Sequence, residues 1–77
     1  MTNQTNERYI AKSQIFPGTK GVDNVDIKII DCCYYEGPVG VRDLAKFVYG
    51  RSDKTELRFI RMRIKNLEAK GHIERYM

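Results

Sequence analysis

Residues 53–71, DKTELRFIRMRIKNLEAKG, decide how this chain is to be read. Leu57, Ile60, Ile64 and Leu67 fall at i, i+3, i+7 and i+10, which gathers them into one apolar stripe at helical period. At about 100° per residue, Arg58, Met62, Lys65, Asn66 and Ala69 point the opposite way, with Arg61 and Arg63 on the flanks and Phe59 beyond Asn66. The spacing predicts an amphipathic helix over residues 54–70, with a buried stripe and an exposed basic face carrying a few apolar tips. A solvated surface would account for such a face taken alone, so the rest of the chain must say whether it is more.

Charge is divided unevenly. The 77 residues carry a net charge of +4 at neutral pH. Residues 1–40 hold four basic and five acidic side chains, whereas residues 41–77 hold ten basic and five acidic. All the excess positive charge therefore sits on the half with the long helix, a localised field that attracts a polyanion and speeds its encounter. Nucleic acid suits that field better than a neutral protein does. A membrane surface is the competing polyanion, but the stripe is narrow and aliphatic and the chain has no Trp, so the stripe is expected to be buried in protein.

A chain of this length is one domain, near the small end of what folds without staples. No apolar run approaches a membrane span, and the polar amino terminus lacks a signal-peptide core, so a cytoplasmic location is expected. Cys32 and Cys33 are the two cysteines, and adjacent cysteines do not form an unstrained bridge. With His72 the one histidine, zinc-ligand spacing is missing and neither a metal nor a cofactor is expected. One cysteine is read as core and the other as lying near a helix edge, neither catalytic. No nucleophile with a paired base, phosphate-cradling glycine loop or carboxylate dyad is visible, so an enzyme is not expected.

Along the chain, residues 1–21 lack sustained periodicity and are read as a flexible or partly docked amino-terminal segment. Tyr9, Ile10, Ile15 and Phe16 are its apolar members, and Pro17–Gly18 marks a turn. Its Arg8, Lys12 and Lys20 are spaced along a tether expected to reach phosphates or a minor groove, and removing residues 2–12 is expected to leave the folding of the rest nearly unchanged. From residue 22 the pattern is regular. Val22, Val25, Ile29 and Cys33, widened by Ile30, predict a first helix, capped by Asp23 or Asn24 and ended by Gly37 and Pro38. Val39–Val41 reads as a short strand. Val41, Leu44, Ala45 and Val48 predict a two-turn second helix closing at Gly50. Asp53 with Glu56 matches a capping box for the long helix, with Ser52 as the alternative cap. Two helices joined so tightly make a helix-turn-helix. After Gly71, alternation turns Ile73, and with it Arg75, inward on a tail strand expected to pair with Val39–Val41; residues 14–16 are the source of any third strand.

The segment PVGVRDLAKFVYG (38–50), a turn, and a basic helix ending in RIKNLEAKGHIER (63–75) together resemble the winged helix-turn-helix transcription regulators of archaea and bacteria. The closing pattern of that family is matched by Leu67, Glu68, Ala69, Lys70, Gly71 and Ile73, and the resemblance covers about residues 22–76. The small size is also similar to regulators encoded by crenarchaeal plasmids and viruses. The resemblance implies an α+β fold, three helices with a minimal two- or three-stranded sheet, over residues 22–77. Only six residues follow Gly71, too few for a hairpin, so the wing is expected to be truncated or absent.

The resemblance also implies that the helix over 54–70 enters the major groove of double-stranded DNA. Arg58 and Arg61 are then placed for base edges or nearby phosphates. Lys54 and Thr55 at the helix start, Arg51 and Ser52 in the turn, and Arg42 on the second helix are placed for phosphates. Met62 meets thymine methyls or merely covers the surface, while Lys65 and Asn66 lie further from the leading end. Arg63 and Lys70 are expected to flank the packing face and reach water. His72 is read as a partly buried structural residue, Tyr34, Tyr35 and Tyr49 as aromatic closures of a small core, and Asp23, Asp26 and Asp31 as solubilising. One domain on one groove has little contact area, which favours a homodimer on a two-fold operator. The function expected is that of a sequence-specific transcription regulator. The alternative is a winged-helix protein-interaction module without DNA readout, because the fold is also used that way.

Overall fold

Asp23 and Asp26 start the first helix by satisfying each other's backbone. In the computed structural model, which describes residues 7–14 and 20–76, the Asp26 amide donates to Asp23 Oδ1 at 2.9 Å and the Asp23 amide to Asp26 Oδ2 at 3.3 Å. This reciprocal capping box opens helix α1, Asn24–Tyr35, which buries Ile29, Ile30, Cys32 and Cys33. Both cysteines are thus core, where one had been expected at the edge. Burial pushes the Cys33 thiol up to about 12, helped by its neighbour Cys32, and raises Cys32 as well. Neither thiol is a thiolate at neutral pH.

Gly37 does not end α1 in the way glycine usually does. The helix closes on Glu36 in right-handed geometry, its amide donating to the Cys32 carbonyl at 2.8 Å. Gly37 is needed for space instead: a Cβ there would lie 2.2 Å from the Cys33 carbonyl oxygen and 3.2 Å from that of Tyr9. Next comes strand β2, Val39–Gly40, shorter by one residue than expected because Val41 already begins helix α2, Val41–Tyr49. Leu44 and Ala45 are fully buried on α2. Helix α3, Lys54–Ala69, buries Ile60, Ile64 and Leu67, with Leu57 partly covered. At its end, Gly71 at φ +82° lets its own amide reach the Glu68 carbonyl at 3.0 Å and the His72 amide reach that of Leu67 at 2.9 Å. Those two bonds form a Schellman motif, which a side chain at Gly71 would strain.

The capping box expected at Asp53 and Glu56 does not form. Asp53 occupies the cap position of α3 without a side-chain hydrogen bond to the helix, because its carboxylate is taken by Arg51. Arg51 also lies 3.9 Å from Glu56, which leaves Glu56 Oε1 buried with no hydrogen-bond partner among the described residues.

The sheet differs most from expectation. Its order is β2-β1-β3, all antiparallel, with the central strand β1 formed by Arg8–Ile10 and the outer strand β3 by Glu74–Tyr76. The tail strand therefore does not pair with Val39; both flank the amino-terminal segment, Tyr9 standing opposite Val39 on one side and Arg75 on the other. Tyr9 is 4% exposed and lies in the core with Val39 and Ile73. The segment read as a tether is thus docked here, its Ala11 amide donating to the Cys33 carbonyl at 3.4 Å. Gln14 is outside any strand, and the remainder of the third strand expected at residues 14–16 lies outside the described residues, as do Ile15, Phe16 and Pro17–Gly18. Arg75 shares the face of Tyr9 but reaches the rim, paired with Glu7 at 3.4 Å and Glu68 at 3.9 Å. Tyr34 and Tyr35 stack edge-on at 4.9 Å and remain exposed, so they close no core; Tyr49 does pack against it.

Arg63 and Lys70 do not simply reach water. Arg63 Nη1 donates to Asp23 at 2.9 Å and Asp26 at 3.0 Å, and Lys70 Nζ to the Gly21 carbonyl at 2.7 Å, clasping α3 to the start of α1. Burial works against the Arg63 charge, but the two carboxylates outweigh it and raise its pKa. The Asp26 amide first, and then Arg63, hold the Asp23 carboxyl below its ordinary value. A carboxyl whose folded pKa is depressed adds stability that is present above its unfolded pKa, about 3.9, and is lost as pH falls through the folded value. Asp23→Asn keeps the cap acceptor and loses the charge, so its stability should fall less between pH 5 and pH 2 than that of the wild type in urea titrations. Asp23→Ala should cost about 1 kcal/mol at neutral pH.

Candidate nucleic-acid interface

The outer face of α3 is set by the buried stripe beneath it. Because Ile60, Ile64 and Leu67 are held in the core, Arg58, Arg61, Met62, Lys65 and Asn66 are forced outward, and all five are exposed. Met62 is 59% exposed and Phe59, a turn away, 49%. Lys54 and Thr55 are exposed at the amino-terminal end, with Ser52 half-buried in the turn before them. This is one continuous surface, as the periodicity of the helix required.

The cations around it fall into two groups. Arg51, Arg63 and Arg75 are each engaged by two carboxylates: Asp53 with Glu56, Asp23 with Asp26, and Glu7 with Glu68. Lys12 is likewise paired, with Glu74 at 3.1 Å. Lys54, Arg58, Arg61 and Lys65 have no ion pair among the described residues, and neither do Arg8 and Arg42. Six cations without an ion pair among the described residues thus lie on the outer face of α3 or beside the start of α2, while Lys20, Lys28, Lys46 and Lys70, also without one, are spread over the rest of the surface. Arg51 belongs to the other group, so its contribution to an external phosphate is partly spent on Asp53.

The two flanks of α3 differ in character. Toward the sheet, Arg61 and Lys65 border a groove that also touches Glu7, Tyr9, Glu68 and Arg75. Toward α1, Phe59, Met62, Asn66 and Lys70 border a wider and more apolar hollow with Tyr49 and Val25, where Phe59 and Tyr49 meet edge-on at 6.5 Å. Arg42 and Arg61 line a third cleft, and Arg8 lines it with them. Arg8 was placed on a tether by sequence reasoning and omitted from the site. The signal that could have found it is the Arg8-Tyr9 pair, one side chain out and one in, which is strand alternation in a run of three residues.

Among the described residues no three His, Cys, Asp or Glu side chains are grouped to hold a metal ion, and no helix is long and apolar enough to cross a membrane. His72 is half-buried just past the end of α3. No protein-family model matches this chain, and no curated protein or solved structure is significantly similar to it.

Proposed function

We propose that this chain is a sequence-specific regulator that binds double-stranded DNA as a winged helix-turn-helix protein, laying α3 in the major groove. The observation that carries the reading is the sorting of charge: arginines on the packing flanks are neutralised in pairs, while Lys54, Arg58, Arg61 and Lys65 on the outer face of α3 lack partners among the described residues. An α-helix fits the major groove, and arginine reads guanine through two parallel bonds. Of the arginines on α3, Arg58 faces most directly away from the buried stripe and is assigned to base edges. Lys54, Thr55, Ser52 and Arg42 are assigned to phosphates, which position the protein and carry no sequence information. Two copies on a two-fold operator would enlarge the contact, with half-sites about 34–36 Å apart.

Selection from random duplexes supplies the site on which to test this. Arg58→Ala should cost about 1–3 kcal/mol on that site and narrow the gap to random DNA, whereas Lys54→Ala should weaken both alike. Equal losses on both duplexes for both variants would show that α3 does not read bases. The second reading, a protein-interaction module, draws on Phe59 and Met62, whose exposure on α3 is more apolar surface than base readout needs.

A further inference from the structure

Arg8, Arg42 and Arg61 come from the central strand, the first turn of α2 and the middle of α3, and they line one cleft together with Gly40, Val41, Asp43 and Leu57. Its volume of about 210 Å³ is below the roughly 300–1,000 Å³ of pockets that enclose whole small molecules. Such a hollow takes a chemical group, not a cofactor. Asp43 is the single acidic residue lining it, against three guanidinium groups that have no ion pair among the described residues. The chain has seven arginines. Three of them are each matched to two carboxylates, Arg58 points outward, and the remaining three line this hollow. Like charges lining one cleft repel, and an anion bound there would offset that repulsion. The amino terminus of α2 lies at the same place, and its cap residue, Gly40, has no side chain to accept from the first-turn amides.

We infer that this cleft holds one phosphate group, gripped by Arg8, Arg42 and Arg61. Guanidinium forks match phosphate oxygens in pairs, and three of them from separate elements enclose the group from different sides. Placed on the reading proposed above, on which the inference rests, the group is a backbone phosphodiester of the duplex. Arg61 then fixes the depth and register of α3 while Arg58 is left to the bases, and the central strand contributes to binding as well as to the fold.

The test uses the whole protein with inorganic phosphate as the first probe, at constant ionic strength against chloride, followed through the backbone amide signals of Gly40, Val41 and Arg42. The wild type should show saturable shifts there. Arg8→Gln should weaken phosphate about five- to tenfold, Arg8→Lys less, and Asp43→Asn should strengthen it. Arg8 is exposed while Tyr9 beside it is buried, so an unchanged melting temperature confirms that Arg8→Gln keeps the fold. On duplex DNA the same variant should weaken specific and random sequences equally and lower the salt slope by about one. If Arg8→Gln changes neither phosphate nor duplex binding, the inference is overturned even where the duplex itself binds. If phosphate enters the cleft and no duplex binds, the site stands for a free phosphate group and the DNA reading falls instead.

Discussion

Deleting residues 2–12 is expected to abolish the cooperative unfolding of this protein. The deletion removes β1, the strand between β2 and β3, and leaves two short strands with no neighbour to bond. It also removes Tyr9 and Ala11 from the core and the hydrogen bond from Ala11 to the end of α1. Truncating a buried aromatic side chain alone costs about 3–5 kcal/mol. A domain of this length has a net stability of about 4–12 kcal/mol, so the combined loss reaches the whole of it. A thermal melt by circular dichroism should lose its sigmoidal transition, and a truncated protein melting within a few degrees of the intact one would refute the docked strand. Two point variants locate the cause. Tyr9→Ala should cost about 3 kcal/mol or more, while Tyr9→Phe removes only the hydroxyl that donates to Glu7 at 3.1 Å and should cost about 1 kcal/mol.

Affinity for duplex DNA should fall about 250- to 1,000-fold when monovalent salt is raised from 50 to 200 mM, following a logarithmic slope of about −4 to −5. The figure rests on roughly four to six phosphates being neutralised, each releasing condensed counterions. Counted per copy, the cleft of Arg8, Arg42 and Arg61 takes one phosphate and Lys54 and Lys65, which also lack an ion pair among the described residues, take one each, so two copies on a two-fold operator reach that number. Arg51, Arg63 and Arg75 are already paired and should add little to the slope. Fluorescence anisotropy across a salt series measures it directly. A flat response, or no binding at low salt, would favour the protein-interaction reading, in which Phe59 and Met62 make the contact.

The candidate surface on α3 is legible in the amino-acid sequence because it follows from a local rule. Leu57, Ile60, Ile64 and Leu67 define an inner stripe, and geometry alone then sends Arg58, Met62, Lys65 and Asn66 outward. Which cations are already spoken for is not legible there. Arg63 meets Asp23 and Asp26 across 40 and 37 residues of sequence, and Arg8 meets the same cleft as Arg61. Pairings over such separations leave no trace in spacing. Arg51 shows the same limit at short range, since its partner Asp53 is also the residue that spacing assigns to cap α3.

The three helices, their order and their buried faces follow from the sequence alone, as does the concentration of positive charge on the last of them. Helices are set by contacts within a few residues, so periodicity, the Asp23 cap and the Gly71 stop are all written locally. The sheet is different, because tertiary packing settles it. Strands of two and three residues carry too few alternations to announce themselves, and their pairing is chosen by which edge can be covered once the helices have packed. That choice put Arg8–Ile10 at the centre, where Tyr9 joins Val39 and Ile73 in the core.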